Sequence, residues 1–568
     1  MTTLIADIEC DGLFPSEIFC LGLKDHGQDN GQIYSDHAGY SSLREGITRL
    51  LKADKIVMHN GMSFDVPHLE RLCDIQIDRT KVVDTLLMSR LNDSSKRSHS
   101  LAAWGEDLGF PKGDHNDFSQ MSDEMAQYCL NDLCLNDAVF DALKPVPENV
   151  FDLETKFASV ISRQEQHGFR LDIPKAVDLA AELRQEIVDI QEELQARWEP
   201  KVIERHSEKT GKRLKDRVEI FNPGSRKQIA ERLNETYGWK PRRFTNAGSP
   251  KVDETVLDGL KYPEAKKLAR YFRLQKMLGQ LSDGENAWLK VERNGYVHGS
   301  VNTIGTSTHR CSHYAPNVAQ TDKRDLRMRE VWIPDPGQVL VGADANALEL
   351  VCLAHYLSKF DKGEYQNTLV YGKESEGTDV HSRTQRLLEL PTRLSAKIAT
   401  YAYNYGAGDR KLSQISREAG GKIKDGKEIR RRMNEGITGL GELSKRIQKR
   451  ADVGWFTAID GRRIATPKPH ACLNYLLQSC GAIVMKKALV VFHYDLATEA
   501  GFVRDDCPVK FSYVANVHDE IQLTADPDIA EELGKLLCRS LTVAAERLNM
   551  RCPLKGTHAI GNNWAETH

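Results

Sequence analysis

Two short apolar runs end in acids, and they lie far apart in the chain. Leu4-Ile5-Ala6-Asp7-Ile8-Glu9 opens the sequence, and Val339-Leu340-Val341-Gly342-Ala343-Asp344 lies in its second half. Each reads as a buried strand whose end carries charge, which calls for strands inside α/β layers with their ends open to cations or substrate. At 568 residues the chain is too long for one core, and about three or four domains are predicted. Hydrophobic residues make up 40% and charged residues 28%, an ordinary globular balance, and no apolar run reaches 18 residues. The N-terminus has neither a basic region nor an apolar signal core, which points away from secretion. The 12 cysteines are scattered without zinc-like spacing and read as small buried residues of a reducing cytoplasm. A net charge of −3 does not decide for or against nucleic acid, because a basic groove can coexist with an acidic exterior.

In the first run, a period of two puts Asp7 and Glu9 on one face of the strand end. Hard divalent cations want clustered oxygen ligands, and two of them can clamp a phosphodiester for attack by water. Val57 to Asp65 places another acid where a strand turns into a helix. Tyr128 and Asp132 are four apart in a helical stretch and share a face, so the Tyr is placed to orient a water beside a metal-bound Asp. This series resembles the exonuclease motifs of the DnaQ-like superfamily in its Tyr-x-x-x-Asp variant. The resemblance implies an RNase H-like fold, with Asp7, Glu9, Asp65 and Asp132 as metal ligands and Tyr128 positioning water. Asp84, Asp137 and Asp141 have no role in the pattern and read as surface acids.

The second run supplies Asp344 and leads into a helix that carries Glu349. Val514 to Leu523 reads as two strands around the charged tip His518-Asp519-Glu520. Asp344 and Asp519 could hold two metals, one activating a primer 3′-hydroxyl and one neutralising a triphosphate. Between them, Arg393, Lys397, Tyr401 and Tyr405 recur every four residues. On a helix they keep to one face that drifts by about 40° per step. Two cations then face phosphates, and an aromatic ring beyond them can stack on a base or sugar.

The Asp344 segment, the helix from Arg393 to Gly406 and Val517-His518-Asp519-Glu520 are similar to motifs A, B and C of family A (DNA polymerase I-like) DNA polymerases, nearest to the replicative enzymes of short-tailed bacteriophages. The similarity extends to Phe221-Asn222-Pro223 and Gly561-Asn562-Asn563-Trp564. It implies that Asp344 and Asp519 bind metal and Glu520 supports them, while His381, Arg393 and Lys397 contact the incoming triphosphate. Tyr401 would pack on the nucleotide, with acceptance of dideoxynucleotides, and Tyr405 would cap the template-side pocket. Glu349 would exclude ribonucleotides, and Arg310, His470, Asn474 and Gln478 would read the minor groove near the primer end. For His470 a structural role is equally open. His470, Asn474 and Gln478 are read as sharing one helix.

The fold so implied is an α/β multidomain chain, an RNase H-like exonuclease domain followed by a right-hand polymerase. Its expected parts are the exonuclease (1–147), thumb (148–300), palm (301–360 and 455–568, with an antiparallel sheet) and helical fingers (361–454). Two Mg²⁺ per active site, with Mn²⁺ able to substitute, and primer–template DNA with dNTPs complete the implied system. Replisome proteins (a helicase-primase, a single-strand-binding protein) are further implied partners, and the host bacterial cytoplasm is the implied location. A membrane is not. Relatives of this kind can recruit thioredoxin through a large thumb insertion, but the matching stretch, Trp198 to Ile220, is short and argues against that. It holds a basic patch, Lys201 to Arg217, with seven Lys/Arg against three acids, which either grips duplex phosphates or is a solvated loop. DNA contact is the favoured reading. Lys422 to Arg432, with six Lys/Arg and two acids, reads as a solvated face. One departure stands out, because His309 occupies a place where the family usually has glycine. The rival readings are a single-subunit RNA polymerase, disfavoured by Glu349 and the attached exonuclease, and a nuclease or DNA-binding protein whose polymerase half is relic or structural, disfavoured by the intact Asp344, Asp519, Arg393 and Lys397 set.

Overall fold

The computed structural model describes residues 2–567 apart from 208, 243, 246 and 247. Five strands, β1 (Thr3–Cys10), β2 (Ile18–Asp25), β3 (Gly31–Tyr34), β4 (Lys55–Met58) and β5 (Val82–Asp84), form a sheet in the order β3-β2-β1-β4-β5. β1 is antiparallel to β2 and parallel to β4. Its alternation sorts the two faces. Leu4, Ala6 and Ile8 join the core with Leu50, Val66 and Leu69, the last two on helix α1 (Asp65–Cys73). Ile5 instead packs on Leu133 of helix α2 (Asp123–Ala142), so Asp7 and Glu9, in phase with Ile5, turn toward α2. α2 lies so close to β2 that a Cβ on Gly22 would stand 2.6 Å from Cys129 Sγ.

After Lys144–Pro147, helix α3 (Glu148–His167) runs from the first body into the second, followed by the long helix α4 (Ile173–Arg197). Leu194 and Trp198 pack with Phe221, Ile229, Leu233 and Leu268. Ser225 caps the helix Arg226–Tyr237, as the Phe221–Ser225 turn predicts, accepting from Gln228 N. The basic stretch forms an exposed hairpin, Lys201–His206 with Arg213–Glu219; Glu208 of that stretch lies outside the described residues.

The second sheet is wholly antiparallel. β6 (Val339–Ala345), β7 (Phe511–Val517), β8 (Glu520–Ala525) and β9 (Gly556–Gly561) line up as β7-β8-β6-β9. Helices α5 (Leu348–Asp361), α6 (Arg393–Asn404), α7 (Cys472–Val491) and α8 (Ala530–Arg547) contribute to the largest core, shared with this sheet and with Leu153 and Phe157 of α3. The stretch Pro469–Ala497, which contains α7, is long and apolar enough to cross a membrane by length and composition. However, 83% of its most apolar window is buried inside the protein, as in a core helix.

Three expectations need correction. Asp84 is buried, because its carboxylate accepts from Asn60 N and Met62 N and from Leu86 N, capping the helix Thr85–Asn92. Asp137 is buried against Lys24, His26 and Gly27 N, while Asp141 is exposed. The cysteines are free, but they are not uniformly interior, since Cys507 is exposed.

Candidate active sites

The first site forms where β1, α1 and α2 meet. Asp65, the first residue of α1, accepts from Ile8 N at 3.2 Å, which fixes it beside the end of β1. Tyr128 and Asp132 come from the facing side of α2. The carboxylates of Asp7 and Glu9 and the thiol of Cys129 lie within 4.8 Å of one another. Burial pushes the Asp7 carboxyl well above its usual range, and the charges of Asp65, Glu9 and Asp132 add to it. Burial, then Asp132, lifts Glu9 to about 8, and burial lifts Asp65 to about 7. Burial raises Asp132 too, against the pull of Lys112, whose Nζ lies 2.7 Å from Asp132 Oδ2. Asp132 Oδ1 is buried without a hydrogen-bond partner. Mutually repelling acids with an unsatisfied oxygen are the donor set that hard divalent cations bind.

Sequence reasoning missed Lys112 and Cys129. Cys129 follows Tyr128 directly, and its Sγ lies 3.9 Å from Asp7 Oδ2. Its inward direction was readable from the helix period. Lys112 sits in a loop and gave no such signal.

The second site forms at one end of the antiparallel sheet. In register Asp344 stands opposite Glu520, and Ala345 N donates to the Asp519 carbonyl at 3.0 Å. A two-residue turn joins β7 to β8, with His518 at φ 60°. That reversal sets Asp519 beside the end of β6, so two acids far apart in sequence share one end of the sheet. Glu520 points elsewhere. It is 1% exposed and accepts from Trp564 Nε1, from Gln522 Nε2 at 2.9 Å and from Arg329 Nη2 at 3.5 Å. Arg329, Gln522 and the burial of Trp564 were not anticipated.

Glu349, near the start of α5, accepts from the Tyr405 hydroxyl. Burial raises its pKa and the charge of Asp519 adds to the rise. Helix α6 begins at a capping box between Thr392 and Ser395, and the phase of Arg393, Lys397 and Tyr401 follows from it. Tyr405 is the residue just past the helix, before the left-handed Gly406. The His381 ring lies 6.1 Å from Tyr401, and the Tyr401 ring lies 6.4 Å from Tyr405. Lys397 is exposed and pairs with no acid among the described residues. Arg393 is held by Asp379, with Nη2 to Oδ1 at 3.0 Å, and by Glu374 at 3.2 Å.

This geometry has counterparts among known proteins. Residues 191–566 match DNA polymerase family A, and residues 4–128 match the RNase H superfamily. The chain belongs to DNA polymerase family A. Over its full length it is 28% identical to the DNA-directed DNA polymerase of Enterobacteria phage T3, and 28% to that of Escherichia phage T7, covering all of both. It is 24% identical to DNA polymerase I of Aquifex aeolicus over 92% of this chain and 90% of that one. In fold it is similar to the polymerase domain of Pol1 from M. smegmatis, solved with DNA primer-template and dNTP, at a TM-score of 0.77 and 16% identity. That likeness covers 100% of this chain and 96% of the other. The polymerase thus combines an RNase H-like N-terminal domain with a family A fold, and proteins of both families depend on divalent metal ions.

In this polymerase Gln478 of α7 faces Thr308, whose hydroxyl lies 3.4 Å from Gln478 Oε1. Asn474 is half-buried on α7 with an unpartnered Oδ1. His470 does not share their helix. It is exposed in the 3₁₀ turn Pro469–Ala471, because Pro469 starts a tighter turn before α7. Arg310 acts electrostatically on Glu349, Tyr405 and His518, so it faces the same cleft. His309, beside it, adopts φ 60°, the left-handed backbone that favours glycine. Its ring is 1% exposed, and Nδ1 lies 3.3 Å from Arg462 Nη1. Burial pushes its pKa well down, helped by the Arg462 charge, which keeps the ring neutral and able to accept.

Each basic stretch mixes paired and unpaired cations. Within Lys422–Arg432, Arg430, Arg431 and Arg432 are paired with Asp409, Glu428, Glu435 and Glu389, while Lys422, Lys424 and Lys427 pair with no acid among the described residues. In the hairpin Lys201, Arg213 and Arg217 have acidic partners, but Arg205, Lys209, Lys212 and Lys215 pair with no acid among the described residues.

Proposed function

We propose that this DNA-directed DNA polymerase adds deoxynucleoside monophosphates to a primer 3′ end at the Asp344–Asp519 site and trims 3′ ends hydrolytically at the Asp7, Glu9, Asp65 and Asp132 cluster. The observation that carries the reading is the convergence of Asp344 and Asp519 at one end of the sheet, where the Asp519 charge reaches Tyr401 on the helix that also carries Arg393 and Lys397. In each site two divalent ions (Mg²⁺, with Mn²⁺ able to substitute) would supply Lewis acidity for phosphoryl transfer. Asp344 and Asp519 would hold them in one site and the four N-terminal acids in the other. Glu520, tied to Trp564, Gln522 and Arg329, fixes the turn that presents Asp519. Arg393, Lys397 and His381 bind the triphosphate, and Tyr401 packs on the sugar and base. Tyr405 caps the template-side pocket, and Glu349, which accepts its hydroxyl, crowds the 2′ position and excludes ribonucleotides. Arg310, Asn474 and Gln478, with His470 at the rim, line the path of the primer-end minor groove. In the trimming site Tyr128 orients the attacking water.

By this reading residues 1–147 are the exonuclease, 148–300 the thumb, 301–360 and 455–568 the palm, and 361–454 the fingers. Primer–template DNA and dNTPs are the substrates, a host bacterial cytoplasm is the place of action, and a helicase-primase and a single-strand-binding protein are replisome partners. The short hairpin at Lys201–Glu219 makes thioredoxin an unsuitable partner.

A pair of variants tests the assignment. Asp519→Ala should abolish primer extension and leave 3′→5′ degradation intact, and Asp7→Ala with Glu9→Ala should do the reverse. Loss of both activities in either variant, with the fold retained, would contradict two separate sites.

A further inference from the structure

The trimming site contains a cation of its own. Lys112 comes from the loop between the helix Leu101–Leu108 and α2, and its Nζ lies 2.7 Å from Asp132 Oδ2. The same ammonium stands 4.9 Å from the centre of the Tyr128 ring, so its charge acts on the phenol as well as on Asp132. Among the described residues it is the only Lys or Arg paired with any of Asp7, Glu9, Asp65 and Asp132. The loop that carries it is seated on α2. His115 and Phe118 lie against the Tyr128 ring at 5.7 and 6.3 Å, and a Cβ on Gly113 would stand 3.2 Å from Asn131 Nδ2. Lys112 is therefore held over the acids by packing as well as by charge.

A buried cluster of four carboxylates repels itself, and without a counter-charge it either takes up protons or spreads apart. One ammonium cannot neutralise four acids, but it can hold the one it touches. Here it touches Asp132 through Oδ2 alone, while Oδ1 stays buried and unpartnered. Asp132 can then bind a cation through Oδ1 without first releasing Lys112. The contact with the Tyr128 ring ties the placement of the phenol to that of Asp132, one helical turn away.

We propose that Lys112 is a positioning residue of the trimming site, balancing the acids in the metal-free protein and holding Asp132 and the Tyr128 ring in the arrangement that the reaction uses. This rests on the reading of Asp7, Glu9, Asp65 and Asp132 as metal ligands. It extends that reading to a residue outside the acids and the Tyr.

The test compares the full-length wild type with Lys112→Met and Lys112→Arg. Melting temperature is measured in EDTA and in saturating Mg²⁺, alongside degradation of a single-stranded 3′ end and extension of a primer. In EDTA, Lys112→Met should melt lower than wild type by roughly 2–4 °C, the shift that removing one interaction gives a domain of this size. Mg²⁺ should close that gap, because bound ions take over the neutralisation. With Mg²⁺ present, degradation should still fall by about 10- to 100-fold, as for groups that orient metal ligands. Primer extension should be unchanged, and Lys112→Arg should recover most of the metal-free stability. A melting gap equal in EDTA and Mg²⁺ would mark an ordinary structural ion pair and overturn the proposal, as would an unaltered degradation rate. If the wild type itself degrades no 3′ ends, the metal-ligand reading fails and this inference falls with it.

Discussion

The Asp379 carboxylate holds the Arg393 guanidinium, with Nη2 3.0 Å from Oδ1. It also caps the helix Val380–Leu388, accepting from His381 N at 3.0 Å. One acid therefore orients two groups assigned to the triphosphate, on two different helices. Burial acts to raise its pKa, but hydrogen bonds from Ser382 and Arg393 outweigh that and hold it down to about 2, so it is charged at any working pH. Asp379→Ala should raise the KM for dNTP by about tenfold, the combined effect of removing a cap and a charged hydrogen bond. Single-strand degradation should not change. Steady-state primer extension at varied dNTP checks this, and an unchanged KM would show that Arg393 does not depend on Asp379, with Glu374 left to hold it.

The N-terminal acids proposed to trim 3′ ends carry a prediction about pH. Glu9 and Asp65 have pKa values raised to about 8 and about 7, and that of Asp7 is raised as well. An acid whose folded pKa lies above its unfolded value binds more protons folded than unfolded between the two. Metal-free stability from this cluster therefore falls as the pH rises from about 4 toward 8. Metal binding needs the deprotonated form, so Mg²⁺ affinity at this site should climb over the upper part of that window, with protons released on binding. Calorimetry of the Asp519→Ala variant in buffers of different ionisation enthalpy measures the release. Binding without proton uptake by the buffer near pH 7 would contradict the raised values.

Much of this site is legible in the sequence because its parts lie on regular elements. Asp7 and Glu9 share a strand face by a period of two, and Tyr128 and Asp132 share a helix face by a step of four. Arg393, Lys397 and Tyr401 are equally legible, for the same reason. What was illegible depends on chain reversal. Asp84 looked like a surface acid because its partners, Asn60 N and Met62 N, reach it only when the loop after β4 folds back. Lys112 lies in a loop without periodicity. Glu154 meets Arg462 and Lys486 across 308 and 332 residues, a pairing that no local pattern records.

That last cluster gives a stability prediction. Glu154 of α3 accepts from Lys486 of α7 at 2.8 Å through both oxygens and also from Arg462, which in turn holds Asp460 at 2.7 Å. All four side chains are at most 3% exposed, and the two cations balance the two acids. Burial acts to raise the Glu154 pKa, but the charges of Lys486 and Arg462 win and lower it. A depressed acid stabilises the fold above its unfolded pKa of about 4.3 and loses that contribution as the pH falls further. Glu154→Ala leaves two buried cations short of a partner and should cost roughly 3–5 kcal/mol. A urea titration at pH 7 reads it, and a loss below about 1 kcal/mol would mean that water replaces the carboxylate.

Tyr401 carries a prediction about chain terminators. Its ring stands beside His381, and burial raises its pKa, so the hydroxyl stays protonated and can donate where a nucleotide lacks a 3′-hydroxyl. Tyr401→Phe removes that one donor and should lower dideoxynucleotide incorporation relative to dNTP by about tenfold, the worth of one well-placed hydrogen bond. Competition between a dideoxynucleotide and its dNTP in primer extension measures the ratio. A ratio equal in both forms would remove the hydroxyl from the account.

The exposed hairpin carries a prediction about the grip on duplex DNA. Arg205, Lys209, Lys212 and Lys215 have no acidic partner among the described residues, whereas the arginines at 430, 431 and 432 are all paired. Cations already neutralised by neighbouring acids gain little from phosphate, and unpaired ones release a counterion for each phosphate they meet. Replacing the four hairpin residues by Ala should flatten the dependence of log K on log salt for primer–template by roughly 0.9 for every phosphate that is no longer neutralised. The corresponding triple Ala variant at 430, 431 and 432 should keep a slope within about 0.9 of wild type, the worth of a single phosphate. Titrations at several salt concentrations, with a primer–template long enough to pass the hairpin, give both slopes. A hairpin variant with the wild-type slope would make the stretch a solvated loop and leave the grip to the cleft that holds Arg310.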